Sequence, residues 1–82
     1  MRKIIRFTAE WCGPCKTLAK NLESAQIDIP IEVIDIDKDN KLAIEYNVRG
    51  IPTLIMINEG KELRRITGTK TTKELEVWAK EV

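Results

Sequence analysis

Apolar positions along the chain follow two periods, and the switching between them sets out the elements. Ile4, Ile5 and Phe7 form a nearly continuous apolar run within Lys3 to Thr8, broken only by Arg6. Such runs predict a buried strand of a largely parallel sheet. After a short loop at Ala9, Glu10 and Trp11, the residues Leu18, Ala19, Leu22 and Ala25 recur at helical spacing and predict a helix with one buried stripe. Pro14 falls near its start, where a missing amide donor and a fixed φ cost little. Ile27 to Pro30 connects this helix to a β-branched run at Ile31 to Ile36. Strand, helix and strand in that order predict a right-handed βαβ unit with its two strands parallel.

Asp37, Asp39 and Asn40 predict a turn and a helix cap, followed by a short helix carrying Leu42, Ala43 and Tyr46 to about Asn47. The same acidic cluster lacks the glycine and the closing glutamate of a calcium loop. Thr53 to Ile57 reads as a third strand and Glu62 to Thr67 as a fourth, more polar strand suited to a sheet edge. Asn58-Glu59-Gly60-Lys61 between them predicts a tight hairpin turn. Gly68 breaks the pattern, Thr71 with Glu74 has the form of a capping box, and Leu75, Trp78, Ala79 and Val82 line one face of a last helix. The order βαβαββα makes the chain α/β, with four strands and three helices. There is no internal repeat or low-complexity stretch.

Length and charge narrow the function. Eighty-two residues predict one small domain over 1–82, near the size at which a single core suffices. Hydrophobic residues at 43% and charged residues at 33% are the profile of a globular chain and not a disordered one. It is expected to fold alone as a monomer. The net charge of +1 is spread along the chain, so no basic face points to nucleic acid or an anionic membrane. No apolar run is long enough to span a bilayer, and no signal-peptide core precedes the first helix, which predicts a cytoplasmic protein. The absence of any disulfide framework agrees with a reducing compartment.

Both cysteines fall in one stretch, Trp-Cys-Gly-Pro-Cys-Lys at Trp11 to Lys16. Two thiols separated by two residues can close a small disulfide ring or open to a dithiol, a two-electron switch. The pair lies where the first strand hands over to the first helix, and unpaired amides at a helix N-terminus favour an anion there. Cys12 is therefore expected to ionise first, with Cys15, one turn inside, more shielded. A structural zinc site needs about four ligands. With no histidine and no third cysteine, one chain cannot close such a site. A purely structural disulfide between near neighbours would remove little entropy from the unfolded chain. No metal and no cofactor are expected.

Trp11 to Lys16 resembles the active-site hexapeptide of thioredoxins, and Arg-Gly-Ile-Pro-Thr at Arg49 to Thr53 resembles that family's second signature. The resemblance, two motifs in the family's order over most of the chain, implies a thioredoxin-like core trimmed of an N-terminal strand and helix. It implies a mixed sheet in strand order 2-1-3-4. It also implies a disulfide oxidoreductase in which Cys12 attacks and Cys15 resolves. Pro52 would be a cis proline opposite the cysteines, the backbone of Ile51 would pair with a bound substrate strand, and Trp11, Gly13, Pro14, Val48, Gly50, Ile51 and Gly68 would form an apolar rim around Cys12. The implied partners are disulfide-bearing proteins and an electron donor of the thioredoxin-reductase type.

Two positions depart from the family. Thioredoxins usually carry a buried carboxylate six residues before the first cysteine, and a lysine near it; the matching positions here hold Arg6 and Val33. The family's proton-transfer route to the second cysteine does not carry over. An unpaired guanidinium cannot stay buried, so Arg6 is expected to reach solvent or to pair with Glu10, Asp35 or Asp37, and a cation near the thiols would favour thiolate. Chain length alone resembles a glutaredoxin, which leaves an enzyme drawing electrons from glutathione or another small thiol as the alternative. A scaffold with incidental thiols is a third reading, opposed by the intact Cys-Gly-Pro-Cys pair.

Overall fold

The computed structural model describes residues 1–80. The elements follow the predicted order: β1 (Arg2–Thr8), α1 (Gly13–Ser24), β2 (Ile31–Asp35), α2 (Lys41–Glu45), β3 (Thr53–Asn58), β4 (Lys61–Thr67) and α3 (Thr72–Lys80). The strands form one sheet in the order β2-β1-β3-β4. β1 runs parallel to β2 and antiparallel to β3, and β4 closes a hairpin with β3. Val82, expected on the face of the last helix, lies outside the described residues.

Successive side chains of a strand point to opposite faces, so the run in β1 feeds two cores. Ile4 joins Leu54, Met56, Leu18 of α1, and Leu75, Trp78 and Ala79 of α3 on one face. Ile5 and Phe7 join Ile34, Ile55, Ile57 and Ala43 of α2 on the other. α1 and α3 are tied side by side by Asn21 Nδ2, which donates to the Lys70 carbonyl at 2.8 Å, and by the Thr72 hydroxyl, which donates to the Asn21 carbonyl at 3.2 Å. β2 is much less buried than the central strands: Ile31, Glu32 and Val33 are exposed and only Ile34 is buried. It forms one open edge of the sheet, and β4 forms the other.

The hairpin turns through Glu59 and Gly60, both with positive φ (52° and 83°), the two-residue geometry whose twist matches paired strands. Met56 pairs with Arg64 while Ile57 pairs with Glu62, so Leu63 is an extra residue in β4 and the predicted strand carries a bulge. Of the residues expected to turn the chain and cap α2, Asp39 supplies a contact and Asn40 does not. The Asn40 side chain makes no capping bond. The amide of Lys41 is taken instead by Asp39 Oδ1 at 3.2 Å, a local Asx contact.

α3 starts with the reciprocal pair that its sequence predicts: the Glu74 amide donates to Thr71 Oγ1 at 3.1 Å and the Thr71 amide donates to Glu74 Oε1 at 2.9 Å. These bonds from Thr71 hold the Glu74 carboxyl below its usual range. A depressed carboxylate pKa adds stability above the unfolded value, and that stability is lost as pH falls through the folded value. Thr71→Ala is expected to cost about 1 kcal/mol, the usual worth of an N-cap, at neutral and at acid pH alike, because alanine keeps the backbone amide that is the larger cause of the depressed Glu74 carboxyl. Urea denaturation of both proteins at neutral pH and at acid pH checks this; equal stability throughout would show that the cap contributes nothing.

Candidate redox site

The chain leaves β1 at Thr8, turns at Ala9 to Trp11, and enters α1 with Cys12 as its N-cap and Pro14 in its first turn. Cys12 has extended backbone angles, and its Sγ accepts the amide hydrogen of Cys15 at 3.1 Å. That amide is one of the donors that the start of a helix leaves without a partner. Cys12 and Cys15 are joined in a disulfide with Cα atoms 5.2 Å apart. The pair packs with Ala9, Ile36 and Ile51.

The expected contrast in exposure is corrected here: Cys12 is only 4% exposed and Cys15 1%. What separates them is the neighbouring space. Cys12 lines a groove of about 480 Å³ and Cys15 does not. The other walls are Trp11, Gly13, Pro14, Ile36, Ala43, Val48, Arg49, Gly50 and Ile51. A Cβ added at Gly13 would meet nothing within 4 Å. Arg49 is the only charged residue among these walls.

Trp11 stands 68% exposed, yet its indole is fixed: Nε1 donates to Asp37 Oδ2 at 2.7 Å. Across the groove the Ile51-Pro52 peptide bond is cis, as the resemblance implies. Pro52 itself is buried, its carbonyl accepts the Gly68 amide at 2.9 Å, and Thr53 Oγ1 donates to the Gly50 carbonyl at 2.6 Å. Of the expected rim, Trp11, Gly13, Pro14, Val48, Gly50 and Ile51 line the groove and Gly68 does not; Pro52, expected opposite the cysteines, does not line it either. The fold adds Ile36, Ala43 and Arg49 to it, with Asp37 holding Trp11. Sequence reading had placed Ile36, Asp37 and Ala43 in a strand, a turn and a helix.

Arg6 takes the first of its two alternatives. Its side chain is half-buried in a separate hollow lined by Ala19, Leu22, Glu23, Ile31 and Val33, between α1 and the open edge at β2. The expected acidic partners are engaged elsewhere: Glu10 lies 3.5 Å from Lys38 Nζ, Asp37 holds Trp11, and Asp35 Oδ1 accepts the Asp37 amide at 2.9 Å. Burial lowers the Arg6 pKa from its usual value. Among the described residues no cluster of three or more Cys, Asp or Glu side chains could hold a metal ion, and no helix is long and apolar enough to cross a membrane.

The thioredoxin family model matches residues 1–81. The chain belongs to the thioredoxin family. The thioredoxin of Chlamydia trachomatis is 44% identical over 75 residues, covering 88% of this chain and 74% of that protein. Thioredoxin C-3 of Corynebacterium nephridii is 40% identical over 78 residues, covering 92% of this chain and 54% of that one. Among solved structures, the N21Q mutant thioredoxin from Halobacterium salinarum superposes with a TM-score of 0.85 at 32% identity, over 95% of this chain and 71% of that one. With its Cys12–Cys15 disulfide, this thioredoxin relative is a thiol-disulfide oxidoreductase.

Proposed function

We propose that this chain reduces disulfides in proteins through a Cys12/Cys15 cycle in the cytoplasm and is recharged by an enzyme of the thioredoxin-reductase type. The observation that carries the reading is the position of Cys12 at the floor of an apolar groove, with the Cys15 amide directed at its sulfur. An amide bond to sulfur favours the thiolate, which is the nucleophile in exchange. The Cys12 thiolate attacks one sulfur of the substrate disulfide, forming a mixed disulfide and expelling the other sulfur as thiolate. Cys15 then loses its proton and attacks Cys12 Sγ. The Cys12–Cys15 disulfide closes, the second substrate sulfur leaves, and two electrons have passed to the substrate. Water or the expelled thiolate takes the Cys15 proton.

The apolar walls suit an extended protein segment, with the Ile51 backbone beside it. Glutathione, with two carboxylates and an ammonium, would meet only Arg49 as a charged partner. The test is the reduction potential of the Cys12/Cys15 couple together with the reductant that restores it. Thioredoxins lie at about −270 mV and glutaredoxins at about −200 to −230 mV. A couple near the thioredoxin value, recharged by a thioredoxin reductase and slowly by glutathione, is the expected result. A potential in the glutaredoxin range with rapid turnover by glutathione would move this chain to the glutathione-coupled reading.

A further inference from the structure

The groove at Cys12 does not end at the redox site. A second hollow of about 390 Å³ is lined by Ile36, Ala43 and Val48, which also line the first, and by Asn40, Ile44 and Asn47. The shared residues make one floor for both. Ile44 lies on α2, and its side chain is 71% exposed. Apart from Met1, Ile44 and Trp11 are the two most exposed large apolar side chains among the described residues. Trp11 lines the first hollow and Ile44 the second.

No charged residue lines the second hollow. Its rim is two amides: Asn40, which caps nothing, and Asn47, whose Oδ1 accepts from Arg49 Nε at 3.4 Å. From this continuity with the redox groove we infer that Ile44 is the centre of a second subsite for the same substrates, taking a bulky apolar side chain several residues away from the cysteine under attack. The preferred substrate is an extended, locally unfolded segment with an uncharged stretch between that residue and its cysteine. A second copy of this chain is a poor occupant, because its two cysteines are paired with each other and bring no disulfide within an extended segment.

The inference rests on the reading of Cys12 as the attacking sulfur, and the test separates the two. Single-cysteine peptides of serine and glycine are prepared as mixed disulfides with thionitrobenzoate, and one leucine is moved from two to six residues on either side of the cysteine. Reduced protein attacks the peptide sulfur, forms the Cys12–peptide disulfide and releases coloured thionitrobenzoate. At one offset leucine is expected to raise the second-order rate constant about five- to tenfold over the all-serine peptide, the scale of partly burying one leucine. Ile44→Ser is expected to cut that ratio to about twofold or less, and Ile44→Val to restore most of it.

No leucine offset above about twofold, or an equal gain in Ile44→Ser, would overturn the subsite while leaving the redox reading intact. Failure of the wild type to release thionitrobenzoate from any peptide would overturn the redox reading and this inference with it. Concentration-dependent dimerisation of the wild type, abolished in Ile44→Ser, would assign the hollow to a second copy and overturn it too.

Discussion

Replacing Cys12 by serine is expected to reduce disulfide reduction to the uncatalysed rate, whereas Cys15→Ser is expected to react once and accumulate as a covalent complex with its substrate. Cys12 is the sulfur that lines the groove and receives the Cys15 amide, while Cys15 sits behind it, 1% exposed. A serine hydroxyl stays protonated at neutral pH and does not attack a disulfide, so loss of the first sulfur removes the entry step. Loss of the second leaves entry intact and removes resolution. Mass spectrometry after incubation with a disulfide protein reads the difference directly. Equal trapping by both variants would reverse or dissolve the assigned roles.

The largest effect on stability is expected at Phe7, which is fully buried and packs with Ile5, Ile34 and Ile55 beneath the residues that wall the groove. Phe→Ala in a core costs about 3–5 kcal/mol. A chain of this length has about 4–12 kcal/mol in total, at roughly 0.05–0.15 kcal/mol per residue. Phe7→Ala should therefore bring the protein to the edge of unfolding, with Tm lower by about 12 °C or more at about 4–8 °C per kcal/mol. Val48 and Ile51 pack against that same cluster, so disulfide exchange should slow even in the fraction that stays folded. A loss below about 1 kcal/mol in urea denaturation would mean that the site collapses around the smaller side chain and that this core does not support the groove.

The element order was legible because each buried face repeats its period: two in β1 and β3, and the helical stripe from Leu18 to Leu22. The capping box of α3 was legible because both partners lie within one turn. The features that escaped have no local signal. The bulge at Leu63 depends on how β4 meets β3, and at α2 the sequence offered both Asp39 and Asn40 without choosing between them. Arg6 could be narrowed to two alternatives, but only the gap between α1 and β2 decides that it enters a hollow beside Glu23. At the site, the motifs supplied Trp11 to Cys15 and Ile51. Ile36, Asp37 and Ala43 reach it from other elements, and nothing in their own neighbourhoods marks them.

The strand order carries a consequence for how the chain is made. β1 is synthesised before both of its sheet neighbours, but it occupies the middle of the sheet, and its second neighbour ends at Asn58. A ribosome adding about 5–20 residues per second needs roughly 3–10 s for the intervening stretch, while collapse of a short chain takes microseconds. Throughout that interval β1 lacks the strand that will pair with its second side and pack beside Ile4, Ile5 and Phe7. The nascent protein therefore presents the apolar residues of β1 with one side of the strand unpaired until β3 emerges, and a chaperone that shelters exposed hydrophobic chain has a natural point of attachment there.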